Sequence, residues 1–402
     1  MEGNNQFNDW WAWEQAAKVP EASGIACDHY HRFESDLDLA KALGHNAYRF
    51  SLEWSRIEPT PGEYSKEALD HYAKVIQACR QRNLEPVVTL HHFTLPQWLA
   101  DKGGWVLSNS VKAFARYVEV VAQRLSQDIR WWVTLNEPTV LIYQGYLIGL
   151  WPPGRKGDFI RANLAMRNLA KAHRLAYGII HRVVARLKGP LPKVGFSHHM
   201  ICYAPCDPSS RQDRWATRVR DHLANERFLQ SCRGAIDFVG LNYYTRDFVH
   251  GAGWGLPPRF YPEMSRRLAG LPLMGRICSL EHHQDVGPRN PLGWEIYPEG
   301  LRRTLLKLKE LGLPILITEN GVCTDDDRVR GRFIEEHLKE TALAMDQGAQ
   351  VIGYLYWALI DNFEWAHGFG PRFGLVEVDY TTLERRVRPS ALKLAQMIRG
   401  MV

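Results

Sequence analysis

Short apolar runs rich in β-branched residues alternate along this chain with longer stretches whose apolar positions recur every three or four residues. The first kind reads as strands: Ala47 to Trp54, Pro86 to His91, Trp132 to Asn136, Lys193 to His198, Phe238 to Tyr243, Ile315 to Glu319 and Val351 to Trp357. The second kind reads as amphipathic helices over 66–81, 110–125, 162–187, 300–311 and 332–347. One face of the first helix carries Leu69, Tyr72, Ile76 and Cys79, and one face of the second carries Phe114, Val118, Val121 and Leu125. Gly312 and Gly348 follow two of the helices and are placed to end them. Strands alternating with helices predict an α/β fold around a parallel sheet. Even spacing, with no linker and no shift of composition, predicts one domain over 1–402. A connection from Thr245 to about Leu292 stands apart. It is rich in Gly, Pro and Arg and holds Trp254 and Phe260, and a loop of that length predicts a lid over a functional site.

Composition adds limits rather than elements. With 45% hydrophobic and 23% charged residues the chain has the balance of a soluble enzyme. Its net charge of +6 is scattered among acids along the predicted helices, so no nucleic-acid partner is expected. Seven cysteines without regular spacing predict no disulfide framework and a reducing, cytoplasmic setting. No signal peptide is read in MEGNNQFNDWW, and the run Val351 to Ile360 is too short to span a bilayer, so no membrane association is expected. His198, His199, Cys202 and Cys206 lie close together without the spacing of a zinc module, and no metal is expected there. GAGWG at 251–255 has neither a strand before it nor a helix after it and is not a phosphate loop. The 14 Trp matter more, because indole rings supply the flat walls on which sugar rings stack as well as core volume.

Two predicted strands end on the same pattern. TLNEP, residues 134–138, sets Glu137 beside Asn136 behind the apolar run Trp131 to Leu135, and Pro138 denies the strand a further amide donor. ITENG, residues 317–321, does the same for Glu319 and follows it with Asn320. Both glutamates fall at the C-terminal tips of strands, where barrel and open α/β enzymes keep their chemistry, although carboxylates on such rims are also commonly structural. Other tips carry His91 and His92, Tyr243 and Tyr244, and Trp357. Paired carboxylates with amides and aromatic walls suit a polyhydroxylated ring reacting at one carbon.

These stretches, together with YRFSLEWSRIEP (48–59), VTLHHFTLPQWL (88–99), DFVGLNYYTR (237–246), GWEIYPEGL (293–301) and WALIDNFEWAHGFGPRFGLVEVDY (357–380), resemble in content and order the family 1 glycoside hydrolases. That is the β-glucosidase and β-galactosidase group, and the resemblance runs from about residue 2 to the C-terminus. It implies a (β/α)8 barrel and a retaining exo-β-glycosidase that removes a terminal non-phosphorylated residue, glucose foremost, with its two carboxyl groups about 5 to 5.5 Å apart. By match to the motifs, Glu319 is expected as nucleophile, Glu137 as acid/base, Arg49 as the cation beside the nucleophile and Tyr244 as its hydrogen-bond donor. Asn136 is expected at the 2-hydroxyl, and His92, Glu364 and Trp365 at hydroxyls further round the ring. Trp357 is expected as the floor and Asn242 among the substrate-binding residues. Trp294 is expected toward the leaving group, where ordinary packing explains it equally well. The implied partner is a small carbohydrate, a β-glucoside or β-galactoside, and the chemistry needs no cofactor.

Glu364 stands where the branch acting on 6-phosphorylated sugars lacks a carboxylate, which favours a neutral sugar. Glu137 stands where the thioglucosidase branch carries Gln, which favours an O-glycoside. One part of the family pattern is missing. Members open with a strand leading into a Gln-x-Glu-Gly segment whose Gln binds ring hydroxyls; Glu2 and Gly3 look like the tail of that segment, without the strand or the Gln. Either the start codon is placed too late or the first barrel strand is lost. An open seam with two exposed strand edges, lower stability and weaker sugar binding are expected from such a barrel. The alternative readings are a catalytically impaired sugar-binding homologue and a transglycosidase.

Overall fold

Seven parallel strands, hydrogen-bonded in chain order, form the centre of the molecule: β1 (Ala47–Ser51), β2 (Glu85–Thr89), β3 (Trp131–Asn136), β4 (Lys193–Pro205), β5 (Val239–His250), β7 (Ile315–Asn320) and β8 (Val351–Tyr356). A short strand, β6 (Arg276–Ile277), pairs antiparallel with the end of β5, and a hairpin of β9 (Val376–Val378) and β10 (Arg385–Val387) follows β8. The structure, a computed structural model, describes residues 2–251, 276–277, 283 and 286–400. The five expected helices occupy Lys66–Gln81, Ser108–Leu125, Phe159–Leu187, Pro298–Lys309 and Asp327–Asp346. With helices outside the curled sheet, the described residues form a nearly closed barrel of the (β/α)8 kind that the sequence predicts, with seven parallel strands among them.

Local chemistry explains the boundaries. The Ser65 hydroxyl accepts the amide of Ala68 at 3.1 Å and opens Lys66–Gln81; the Asp158 carboxylate accepts that of Arg161 at 3.1 Å and opens Phe159–Leu187. Gly348, at φ +88°, closes Asp327–Asp346 by donating to the Met345 carbonyl at 2.8 Å. The predicted strand ends need correction: β1 stops at Ser51, and Trp54 opens the short helix Trp54–Ile57. β4 and β5 run well past their predicted ends because they stay paired from Cys202↔Arg246 to Pro205↔Val249, so the connection expected from Thr245 begins only after His250. The lid reading, with Trp254 and Phe260, lies outside the described residues. The helix His29–Ala42 escapes the apolar pattern because two of its inward positions, His29 and Asp36, are polar.

β1 and β8 are the sheet's edges, and among the described residues no ladder hydrogen bond joins them. All 6 residues of β7 are buried, whereas no residue of β8 is fully so, and Ile352 is 45% exposed. A polar tie crosses outside this seam. Asp36, in the helix before β1, takes the Arg385 guanidinium of β10 at 2.9 and 3.1 Å and the imidazole of His29 at 2.8 Å. Arg385 also donates to the Cys27 carbonyl at 2.6 Å. Both members of the ion pair are almost entirely out of water, so each depends on the other for its charge. Asp36→Ala is expected to lower the unfolding free energy by about 3–5 kcal/mol, because it leaves a buried guanidinium without its anion. Urea unfolding of parent and variant checks this, and a loss under about 1 kcal/mol would rank the tie with surface pairs instead.

Candidate active site

Strand alternation places Arg49 and Ser51 on one face of β1, pointing to the C-terminal mouth of the barrel. There the Arg49 side chain, 6% exposed, reaches three other strands. Its Nε donates to Thr89 Oγ1 on β2 at 3.1 Å, its Nη2 to Asn136 Oδ1 on β3 at 2.6 Å, and its Nη1 to Glu319 Oε1 on β7 at 2.5 Å. The other oxygen of Glu319 accepts the Tyr244 hydroxyl at 2.6 Å. Burial, and then the Glu319 charge, push the Tyr244 phenol well above its usual range, so it serves as a donor. Gly321 permits this strand end: a side chain there would strike the Trp357 carbonyl, 1.9 Å from where its Cβ would lie.

Glu137 sits in a different environment. It follows β3 in the left-handed region (φ 44°), a conformation that costs about 1–2 kcal/mol for a non-glycine residue. Pro138 opens the next helix, Pro138–Ile142, and the Glu137 amide donates to the Ser197 carbonyl at 2.8 Å. Its Oε1 accepts a neutral donor, Asn242 Nδ2, at 2.6 Å, and Asn242 is itself oriented by Thr318, whose hydroxyl donates to Asn242 Oδ1 at 2.6 Å. Burial raises the Glu137 carboxyl to about 8; the charge of Glu319 adds to this, while the Asn242 bond and Arg49 oppose it.

The remaining expected residues gather at the same mouth. Asn136 Nδ2 donates to His92 Nε2 at 3.0 Å, so the His92 proton is on Nδ1, 3.0 Å from Ser51 Oγ. Burial and the Arg49 cation hold His92 well below the usual imidazole range, consistent with that neutral form. Trp357 donates through Nε1 to Glu364 at 3.2 Å, and burial raises the Glu364 carboxyl to about 8. Trp365 stacks among Trp10 (4.7 Å), Phe93 (5.2 Å) and Trp151 (6.0 Å). Trp294 both packs on Tyr244, at 5.4 Å, and lines the cavity.

A cavity of about 400 Å³ opens here, with Glu137, Glu319, His92, Asn136, Trp357 and Glu364 on its wall. Arg49 and Asn242 are not on that wall; they hold the two glutamates from behind. A second cavity of about 210 Å³, lined by Glu2, Arg49 and Glu53, adjoins it and shares His92, Trp357 and Trp365. Thr89, Thr318, Ser51 and the cavity residue Phe373 were not anticipated from the sequence. Ser51 could have been, since it lies two residues from Arg49 on the same strand face. The sequence cluster of His198, His199, Cys202 and Cys206 does not assemble: His198 bonds the Asn225 carbonyl at 2.8 Å and His199 lines the large cavity.

Residues 8–235 and 225–400 match the model of glycosyl hydrolase family 1. The chain belongs to that family. Beta-glucosidase A of Thermotoga maritima is 30% identical over 95% of this chain and 89% of its own length. The galactolipid galactosyltransferase SFR2 of Arabidopsis thaliana is 31% identical over 96% of this chain and 62% of its own. The structure of a beta-glycosidase from Pyrococcus horikoshii superposes with a TM-score of 0.88 at 36% identity, covering 99% of this chain and 91% of the other. The molecule is thus a family 1 glycoside hydrolase, and no helix among its described residues is long and apolar enough to cross a membrane.

The raised carboxyl ties the stability of this family 1 hydrolase to pH. A folded state that holds the Glu137 proton more tightly than the unfolded chain gains stability that is full below pH 4.5 and is lost as pH rises through about 8. Glu364 acts with the same sign. Glu137→Gln, which cannot ionise, is expected to shrink the fall in melting temperature between about pH 5 and about pH 8.5. Equal falls in parent and variant would remove Glu137 as a source of that dependence.

Proposed function

We propose that this family 1 hydrolase is a retaining exo-β-glycosidase that cleaves a terminal non-phosphorylated glycosyl residue, glucose foremost, from O-glycosides. The observation that carries the reading is the opposite treatment of two buried carboxyls at one barrel mouth. Glu319 receives a guanidinium and a phenol on its two oxygens, while Glu137 receives a neutral amide and is raised to about 8. An anion beside a protonated acid is the division of labour that glycoside cleavage needs.

In the first step a Glu319 oxygen bonds to C1 of the sugar, the bond from C1 to the leaving oxygen breaks, and that oxygen takes the proton of Glu137. Esterification removes the negative charge of Glu319, one of the influences that raise Glu137. In the second step the Glu137 carboxylate takes a proton from water as the water oxygen bonds to C1, and the ester bond returns its electron pair to Glu319. Asn136 serves the 2-hydroxyl. His92, Glu364 and Trp365 serve hydroxyls further round the ring, Trp357 lies beneath it, and Trp294 faces the leaving group. Arg49, Tyr244 and Asn242 position the reacting pair. The whole chain acts as one catalytic domain, in the cytoplasmic setting that its irregularly spaced cysteines lead us to expect.

Transfer of the sugar to an alcohol in place of water is a second reading, favoured by the similarity to the galactolipid galactosyltransferase. Glu319→Ala is expected to lower turnover of an aryl β-glucoside at least ~10³-fold, with azide restoring turnover as an α-glycosyl azide. Undiminished turnover would reject the nucleophile assignment. Proton NMR of the parent reaction is expected to show the β-anomer as first product, and α-anomer first would contradict retention. A competing alcohol in the same tube separates hydrolysis from transfer by the ratio of free sugar to alkyl glycoside. A parallel aryl β-galactoside ranks the two sugars.

A further inference from the structure

Cys206, Asp213 and His250 bring ligand atoms together within 4.8 Å of one another. They come from three segments: the residue after β4, the first turn of the helix Arg211–Asp221, and the last residue of β5. His250 Nδ1 lies 3.1 Å from Asp213 Oδ2, and Cys206 Sγ lies 3.4 Å from Nε2 of a second histidine, His283. Tetrahedral zinc, with bonds of about 2.0 Å to N and O and about 2.3 Å to S, spaces neighbouring ligands by about 3.3 Å for N and O and about 3.6 Å for N and S. Each of these two pairs stands near those separations, and His283 reaches the cluster through Cys206.

The surroundings hold these groups in place. Asp213 is buried, and its two oxygens accept the amides of Gly251 at 2.8 Å and Asp207 at 2.9 Å. The Cys206 amide donates to the Val249 carbonyl at 2.9 Å, which fixes the end of β4 against the end of β5. The His283 ring stacks on Phe248 at 3.8 Å and 13°. Carboxylates that ligate metals are themselves hydrogen-bonded, as Asp213 is. One thiolate, two imidazoles and one carboxylate form a borderline-soft set that selects zinc over magnesium or calcium.

We propose that Cys206, Asp213, His250 and His283 bind one zinc ion at the outer ends of β4 and β5. Binding replaces the Cys206 thiol proton, which leaves to solvent, with a sulfur–zinc bond, and the Asp213 oxygen that meets His250 turns to the metal. The ion joins His250, at the end of β5, to His283, and ties both to the start of Arg211–Asp221. It stands apart from the residues assigned to sugar cleavage and supplies no step of that reaction.

Cobalt(II) added to the chelator-treated full chain tests this, since a cobalt–thiolate bond gives a charge-transfer band in the near ultraviolet. The parent protein is expected to bind one equivalent with that band, and zinc is expected to compete it away and raise the melting temperature. Cys206→Ser is expected to abolish the band, and His250→Ala, at a half-exposed position, to weaken cobalt binding at least tenfold. No band in the parent, or a band that survives Cys206→Ser, overturns the site. Unchanged affinity in His250→Ala overturns it as well. Aryl-glycoside turnover, measured alongside, reports separately on the sugar chemistry.

Discussion

The buried guanidinium of Arg49 is the constraint on which the barrel mouth depends. A cation taken out of water needs an anion and a full set of acceptors, and Arg49 finds them on β2, β3 and β7 at once. The position of Asn136 follows from that demand, and through Asn136 so do the proton of His92 and the second bond of Asn242. Glu319 is held as an acceptor by the same group. Glu137, a short distance along the network, meets the opposite condition: it is buried beside an anion with only a neutral amide to answer it. One cation thereby gives two carboxyls opposite surroundings, and the backbone at Glu137 bears a left-handed turn.

The zinc ligands and the Arg49 cluster show two uses of strand ends. Barrel strands that stop at the mouth deliver side chains to the cavity, as β3 and β7 do. β4 and β5 continue past it as a paired ribbon and deliver Cys206 and His250 to a separate place outside. The extra length of those two strands carries the proposed zinc ligands beyond the residues that line the cavity.

Much of this was legible in the sequence because it is local. Strand and helix positions follow from apolar period, and the tips of β3 and β7 follow from Pro138 and the ITENG turn. The motifs then point to Arg49, Tyr244 and Glu364 by resemblance. What stayed hidden is set by contacts between distant residues. The extension of β4 and β5 depends on their mutual pairing, which neither segment announces alone. The helix His29–Ala42 hides because its buried Asp36 answers Arg385, 349 positions away. Cys206 was read beside its sequence neighbours Cys202 and His199, whereas its spatial neighbours are Asp213, His250 and His283.

The seam between β1 and β8 gives Glu319 a second meaning. Among the described residues β1 is joined to the sheet along the backbone through β2 alone, and a side-chain bond from that edge across to β7 ends on Glu319. In many proteins, replacing a buried charge relieves crowding and makes the fold sturdier. Here the same replacement strands Arg49 at the barrel's free margin. A change at Glu319 therefore acts on the hold of the edge strand β1 as well as on the cavity.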